Sequence, residues 1–428
     1  MTKKIYSGFI LHFSRLLAGI VFIYSGFVKG IDPLGSTYKF VDYFVAFNIE
    51  FLEFLAFPLS ILLSAAEMLI GLALVAGIHM IIASWAVFLF MGFFTVLTFI
   101  IALTDPVADC GCFGDAIILT NWETFWKNVV LMGFVTYLFV YRKKFGTFFK
   151  SSIIEWSALS GLFLATLGIF YYSYINLPVV DYRPFSIGAG IEEKMSIPPD
   201  APVDEYEIIL YYEKDGEVRS FTTDSLPEPD WEWVRTESRL IEKGYEPPIT
   251  NFFIESVKEG IDYTYDILQD PGYTFIMVSY NLDKSSRQNI DRINRLADWS
   301  FNHGMNFICL TASPEPQIND FVEQTGAGYR FYHTDEITLK TVIRSNPGLL
   351  LIREGTILGK WHHRNIPDAD GLKENMLSYT LEAHQGSRNN LVSYNYLFAL
   401  LLVLALLILI RPVVNNAATW SPAKRLGH

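Results

Sequence analysis

The sequence predicts a membrane α-helical bundle of about six spans joined to a soluble α/β domain. Of the 428 residues, 51% are hydrophobic and only 18% are charged, a balance typical of membrane proteins. Several stretches contain about 20 mainly apolar residues, the length that crosses a bilayer as a helix. A polar, acidic region follows the fifth stretch, and the chain is too long for one compact core. Separate membrane and soluble parts are therefore expected.

Six segments have the length and composition of membrane helices. They are residues 6–28, 57–77, 79–103, 122–141, 152–175 and 391–410. The first is expected to remain as a helix, because its apolar stretch is long and lacks a small-residue cleavage site. Residues 36–56 carry phenylalanines at helical spacing but too many charges to cross a bilayer, which predicts an interfacial helix over the mouth of the bundle.

The basic residues near the span ends predict the orientation. Lys3, Lys4, the segment 142–150 and Arg411 all lie on one side if both termini are cytoplasmic, the side on which such residues are retained. We therefore expect a bacterial inner-membrane protein with residues 176–390 in the periplasm. That block holds 35 of the 45 acidic and 20 of the 33 basic residues. Its acidity excludes nucleic acid as a partner.

The predicted domain organisation has five parts. They are a four-helix membrane domain (1–145), a fifth span (146–175), a linker with a β-hairpin insert (176–246), an α/β domain (247–385), and a sixth span with a cytoplasmic tail (386–428).

Two charged residues lie near the middle of predicted spans. Arg15 is in the first span and Glu67 in the second. Because an unpaired charge there costs several kcal/mol, we predict that they form an ion pair, with His12 as a further member. Such a pair either fixes helix packing or marks a proton or substrate pathway.

The segment "DPVADCGCFGD", residues 105–115, holds two of the three cysteines. On the predicted topology, Cys110 and Cys112 face an oxidising compartment, where thiols tend to pair. Four interpretations are open: a labile disulfide that exchanges with other thiols, a structural disulfide, a metal site, and unpaired or acylated thiols. We favour exchange, because this spacing predicts a strained bond and strain makes a disulfide more reducible. No metal ligand set is predicted.

Three residues near the cysteines are expected to support them. Asp109 and Asp115 raise the thiol pKa, whereas Lys127 and the N-terminus of the next helix lower it. Thr120 and Glu123 have the spacing of a capping box, which predicts that this helix begins just after the loop.

Residues 5–145 resemble the DoxX and MauE family of membrane bundle proteins. The matching pieces are "SGFVKGIDPLGS", "AEMLIGLALVAG", "DCGCFGD" and "TFWKN". The resemblance implies a four-helix bundle associated with periplasmic thiol and disulfide chemistry. It also implies an architecture comparable to vitamin K epoxide reductase-like and other disulfide-generating quinone enzymes, which makes quinone the candidate cofactor. Those enzymes use additional cysteine pairs that this bundle lacks.

Residues 247–385 are similar to thioredoxin-like proteins of the TlpA and peroxiredoxin group. The matching order is the strand "YTFIMVSYNL", a helix at 285–303, the strand "NFICLTAS", a helix at 315–325 and the hairpin "GLLLIREGTILGKW". The resemblance implies a cis-proline at Pro347. Its Cys-x-x-Cys motif falls on "YNLDKSS", which has no cysteine, and Cys309 is expected to be buried in a strand. A cleft with Asn281 and Pro347 is expected to bind an extended client.

As a whole, the chain resembles a membrane protein type of the Bacteroidota that joins these parts. Two functions follow as hypotheses. In the first, Cys110 and Cys112 exchange disulfides with exported or membrane protein clients held by the redox-inactive domain. In the second, the chain is a non-enzymatic envelope scaffold or assembly factor that binds a larger membrane or secretion complex.

Overall fold

A computed structural model describes residues 2–146, 148–149, 151–369, 395–396 and 411. Its membrane region contains α1 (Thr2–Ile31), α2 (Pro33–Ala46), α3 (Ala56–Ala76), α4 (Met80–Thr104), α5 (Asn121–Val140) and α6 (Ser152–Ile175). Over the described residues, the segments long and apolar enough to cross a membrane are Gly8–Ile31, Glu50–Ala76, Met80–Thr104 and Ser152–Ile175.

These segments match four of the six predicted spans. The predicted span at 122–141 is a helix, α5, but it is not among the segments apolar enough to cross. Its polar residues Glu123, Lys127 and Asn128 account for the difference. The predicted span at 391–410 lies outside the described residues except for residues 395–396.

Helices α1 and α3 pack antiparallel and very closely, because glycines line their contact. A Cβ at Gly26 of α1 would lie 2.5 Å from the backbone nitrogen of Met68, and one at Gly71 of α3 would lie 2.6 Å from that of Ile23. Small residues allow helix backbones to approach in this way. The other helices pack around this pair.

Helix α2 lies over one end of the bundle. It begins at Pro33, because the Asp32 side chain caps it by accepting a hydrogen bond from the Gly35 amide at 2.9 Å. It ends at Ala46, and a separate 3₁₀ turn follows at Glu50–Leu55. The predicted continuous helix at 36–56 is therefore wrong, because Asn48 has a φ of 56° and breaks it.

A small antiparallel sheet follows α6 and the short helix α7 (Ile191–Met195). Its strands are β1 (Glu205–Lys214), β2 (Glu217–Thr222) and β3 (Glu232–Glu242), in the order β2-β1-β3. The predicted hairpin around Asp215 and Gly216 is confirmed, and both residues have positive φ. The sequence did not reveal β3, which is exposed at every position.

The C-terminal domain is built on a six-stranded sheet of order β4-β7-β6-β5-β8-β9. The strands are β4 (Glu255–Ser256), β5 (Tyr273–Ser279), β6 (Asn306–Thr311), β7 (Arg330–His333), β8 (Gly348–Arg353) and β9 (Thr356–His362). Strands β5, β6 and β7 are parallel, and the hairpin β8–β9 adds antiparallel to β5.

Helices cover both faces of this sheet. They are α8 (Thr264–Leu268), α9 (Ile290–Asn302), α10 (Glu315–Thr325) and α11 (Glu336–Val342). Helices α9 and α10 contribute to the core on one face, and α8 and α11 to the core on the other. The strands and helices therefore occur in the predicted order. Cys309 is fully buried in β6 as predicted, and its burial raises the thiol pKa.

Candidate functional site

Cys110 and Cys112 form a disulfide in the loop that joins α4 to α5. Their Cα atoms are 5.5 Å apart, and both residues are half-buried. Gly111 between them has a φ of 62°, a left-handed conformation that glycine adopts without steric cost. Across the described residues, no group of three or more His, Cys, Asp or Glu side chains is arranged to hold a metal ion.

The bundle holds this Cys loop (residues 105–120) by its backbone. Tyr43 donates a hydrogen bond to the Cys110 carbonyl at 2.8 Å, and Ser25 donates one to the Cys112 carbonyl at 2.7 Å. Lys39 pairs with Asp109 at 2.7 Å. Because each cysteine carbonyl has its own partner, the disulfide has a fixed position relative to α1 and α2.

A cavity of about 630 Å³ lies in the bundle beside the disulfide, and both cysteines line it. Most of its wall is apolar and aromatic, and includes Phe22, Phe40, Phe44, Phe90 and Phe94. Leu62 of α3 and Phe93 of α4 also line it, although their side chains are 62% and 64% exposed. The cavity therefore reaches the outer surface of the membrane region between α3 and α4.

The polar lining of the cavity includes an ion pair between Lys29 and Glu67, whose Nζ and Oε1 atoms are 2.5 Å apart. The pair is buried, and Ser25 lies 2.9 Å from the second carboxylate oxygen. Since Ser25 also lies 2.7 Å from the Cys112 carbonyl, it connects the intramembrane carboxylate to the Cys loop.

The predicted ion pair between Arg15 and Glu67 is wrong. In the antiparallel contact of α1 with α3, Gly19 and Gly26 lie opposite Gly71 and Met68, which places Glu67 beside the last two turns of α1. Arg15 lies about three helical turns away, roughly 15 Å along the axis, at the opposite end of α3. Its guanidinium stacks 5.6 Å from the centre of the Phe145 ring. The His12 ring also contacts Phe145 rather than Glu67.

Lys127 of α5 extends toward the Cys loop. Its ammonium lies 4.2 Å from the centre of the Phe113 ring, and it lines the cavity. Within the described part of the chain it has no hydrogen-bond or ion-pair partner. The predicted capping box at Thr120 and Glu123 is present and starts α5 just after the loop.

The C-terminal domain contacts the Cys loop through Arg344. Its Nε atom lies 2.9 Å from Asp32 Oδ2, and its second terminal nitrogen lies 3.1 Å from Asp115 Oδ2. Asp32 caps α2, and Asp115 follows Cys112 by three residues. Burial raises the pKa of Asp115, although the charge of Arg344 opposes this. One buried guanidinium thus joins the C-terminal domain to both the bundle and the Cys loop.

The linker after α6 forms a second connection. Asp181 pairs with Arg183 and with Lys360 of β9, each at 2.7 Å, and Arg183 donates to the Thr341 carbonyl at 2.9 Å. Burial alone would raise the pKa of Asp181, but the two cations hold it well below its usual range. Burial lowers the pKa of Lys360 to about 8. Residues 178 and 180–183 also line the cavity.

The residues of the predicted client cleft lie close together but are not freely exposed. The Asn346–Pro347 peptide bond is cis, Pro347 is buried, and Asn281 is half-buried. The Asn346 side chain donates to the Asn281 carbonyl at 2.8 Å. The segment that carries this proline also carries Arg344, so it faces the bundle.

Comparisons with known proteins place the membrane region in context. Residues 7–141 match the family described as Methylamine utilisation protein MauE, and residues 206–243 match a domain of unknown function, DUF8463. No curated protein matches the chain. An uncharacterized conserved protein from Geobacillus kaustophilus, known from its crystal structure, is 14% identical and covers 32% of this chain and 79% of its own, at a TM-score of 0.24. The MauE match and the apolar helices define a MauE-like region in a membrane protein.

Sequence reasoning missed several residues of this site. For Ser25 and Lys29 the signal is their spacing of four residues near the end of α1. This spacing places both on one face of the helix, the face that meets the Cys loop. Asp32 had a signal as the N-cap before Pro33. Arg344 had none, since its two carboxylate partners are more than 200 residues away in the sequence.

Proposed function

We propose that this chain is a bacterial inner-membrane protein of periplasmic thiol and disulfide metabolism. In this proposal the Cys110–Cys112 disulfide exchanges with cysteine pairs of exported or membrane protein clients. The observation that carries it is the position of the disulfide, half-buried at the wall of a cavity that reaches the lipid-facing surface. The MauE-like region supports an accessory or maturation role.

The exchange proceeds in two balanced steps. A client thiolate attacks one sulfur of the Cys110–Cys112 disulfide, which forms a mixed disulfide and releases the other sulfur as a thiolate. A second client thiolate then attacks the client sulfur of that mixed disulfide. The client leaves with a disulfide, and two electrons remain on the chain as a dithiol.

A membrane quinone is the proposed acceptor that returns the dithiol to the disulfide. A quinone bound in the cavity would accept the two electrons and two protons that the dithiol of Cys110 and Cys112 gives up. An amphiphile of this class fits a cavity that is apolar along most of its wall and reaches the surface between Leu62 and Phe93. The ammonium of Lys127, without an ionic partner in the described chain, is available to donate a hydrogen bond to a quinone carbonyl.

The C-terminal domain is proposed to be thioredoxin-like and to present the client. Three features support this assignment: the parallel strands β5, β6 and β7, the antiparallel hairpin β8–β9, and the cis-proline at Pro347. In this assignment Asn281 and Lys284 take the places of the two cysteines of the motif. Because no cysteine is present there, the domain is expected to bind without exchanging disulfides.

Thiol trapping in membranes tests the exchange. The full chain is used in a Cys309→Ser background, so that only the loop cysteines react with a bulky maleimide. We expect the loop cysteines of the otherwise wild-type chain to react with maleimide only after reductant is added. We expect Cys112→Ser to accumulate mixed disulfides through Cys110. The control is the chain with both loop cysteines changed to serine. The proposal is overturned if Cys112→Ser captures no more protein than this control does.

A second candidate function is a scaffold that binds a larger envelope complex. The three-stranded sheet favours it, because β3 is exposed along its whole length and offers an unpaired edge. Deleting residues 205–242 and purifying the chain with its natural partners tests this function. We expect the deletion to lose partners while the trapping behaviour of the cysteines is kept. Retention of every partner would exclude this sheet as the binding surface.

A further inference from the structure

Arg344 is the residue through which the C-terminal domain reaches the Cys loop. We propose that Arg344 is a positioning residue that holds the Cys110–Cys112 loop over the cavity, so that a domain without exchangeable cysteines sets the reactivity of this disulfide. The inference rests on the proposed function, because it concerns the same cysteine pair.

The contacts around Arg344 hold its guanidinium in one position. Its side chain is 7% exposed, and its Nε atom lies 3.0 and 2.9 Å from the two carboxylate oxygens of Asp32. A further nitrogen pairs with Asp115, and the remaining one donates to the Lys340 carbonyl. Every nitrogen of the guanidinium therefore has a partner. Removing it would leave the carboxylates of Asp32 and Asp115 without their ion-pair partner.

The connection to the disulfide is short on one side. Asp115 lies in the 3₁₀ turn Gly114–Ala116, which follows Cys112 after a single phenylalanine. The Gly114 amide donates a hydrogen bond to the Gly111 carbonyl at 3.0 Å, so this turn is bonded to the residue between the two cysteines. A shift of Asp115 must therefore move the end of the Cys loop as well.

The connection to the C-terminal domain is equally short. Arg344 follows α11 by two residues and precedes Pro347 by three. Tyr38 of α2 packs against the same segment, with the Lys340 ammonium 5.0 Å and the Arg344 guanidinium 5.4 Å from its ring centre. The end of α11 and the segment that leads to the cis-proline are thus both held by the bundle.

The test measures how fast a phosphine reductant opens the Cys110–Cys112 disulfide in the purified full-length chain, with Cys309→Ser to remove background. Samples are treated with maleimide at successive times, and the fraction of labelled thiols gives the rate of reduction. We expect Arg344→Gln and Asp115→Asn each to speed reduction by about fivefold, which corresponds to a contact of ordinary strength. Arg344→Lys keeps the charge and is expected to fall between wild type and Arg344→Gln.

A double variant and a matched control make the result specific. Arg344→Gln with Asp115→Asn should be no faster than Arg344→Gln alone, because the contact between these two residues is already lost in that variant. Arg353→Gln changes an exposed arginine of the same domain, which contacts Tyr273, and should leave the rate unchanged. An unchanged rate in Asp115→Asn, which keeps the pair with Asp32, would overturn the proposal even if Arg344→Gln does not fold.

The same proposal is overturned if the single effects multiply in the double variant, since the residues would then act independently. Chemical reduction requires no client and no electron acceptor. A chain that fails the trapping experiment can therefore still show the effect of Arg344, and the two proposals fail separately.

Discussion

At the residue scale, the register of the contact between two helices decides which partner each charged residue of the membrane region meets. Glu67 meets Lys29 because α1 and α3 are antiparallel, and Ser25 lies one turn before Lys29 on the same face. Arg15 meets an aromatic ring instead. The sequence predicts that Glu67 needs a cation, but the choice between two cations on one helix depends on the contact register, which close glycine packing sets.

Removing one member of the Lys29–Glu67 pair should destabilise the membrane region. We expect Lys29→Met to lower the free energy of unfolding by about 3–5 kcal/mol, because it leaves a buried carboxylate without its partner. Lys29→Met combined with Glu67→Leu should recover most of this loss. Thermal unfolding in detergent measures both effects. A double variant as unstable as the single one would show that the pair contributes through something other than its charge.

At the element scale, the sequence predicts most helices and strands but not how they meet. Periodicity and capping signals place α5, α10 and β5 close to their observed bounds. The break at Asn48 was not predicted, because a left-handed residue leaves little trace in a phenylalanine pattern. Strand β3 was missed because its side chains pack against no core, so hydrophobic alternation was not required of them.

The close contact of α1 with α3 gives a prediction about glycine. Gly26→Ala places a methyl group 2.5 Å from the Met68 backbone nitrogen, so α1 and α3 must separate. We expect a loss of about 1–3 kcal/mol, the usual cost of overpacking. Gly92→Ala in α4 is the matched control, since nothing lies within 4 Å of the added atom. Equal thermal stability of the two variants would contradict this account of the helix contact.

At the scale of the whole molecule, buried ion pairs hold the C-terminal domain against the bundle. Arg344 and the Asp181, Arg183 and Lys360 group lie at this contact. The pairings of Arg344 with Asp32 and Asp115, and of Lys360 with Asp181, cannot be predicted from the sequence, because each joins residues far apart in the chain and depends on how two folded parts dock. The parts themselves were predictable, since each has its own hydrophobic pattern.

Acid should weaken the segment that makes this contact. Ser345, next to Arg344, lies 3.1 Å from His363 Nδ1, and burial lowers the pKa of His363 to about 4, helped by the charge of Arg364. His362 stacks on its ring and has a pKa lowered to about 3. A histidine kept neutral in the folded state is protonated first in the unfolded state. Stability is therefore full above about pH 6.5 and is lost as the pH falls toward 4.

The measurement is the unfolding temperature of the full chain at several pH values between 7.5 and 4.5, values we choose to bracket the ordinary histidine pKa of about 6.5. We expect His363→Asn, which keeps a hydrogen-bond acceptor near Ser345, to reduce the dependence on pH. A profile identical to that of the wild-type chain would show that His363 does not titrate on unfolding.

The most direct test of the central claim is an equilibrium redox titration of Cys110 and Cys112 in the folded, full-length Cys309→Ser chain. Thiols are trapped with maleimide after equilibration in glutathione buffers. We expect a reversible two-electron transition at a potential above about −300 mV, the range of exchangeable disulfides. A pair that stays oxidised in every buffer until the protein is unfolded would contradict the claim and leave the disulfide a structural one.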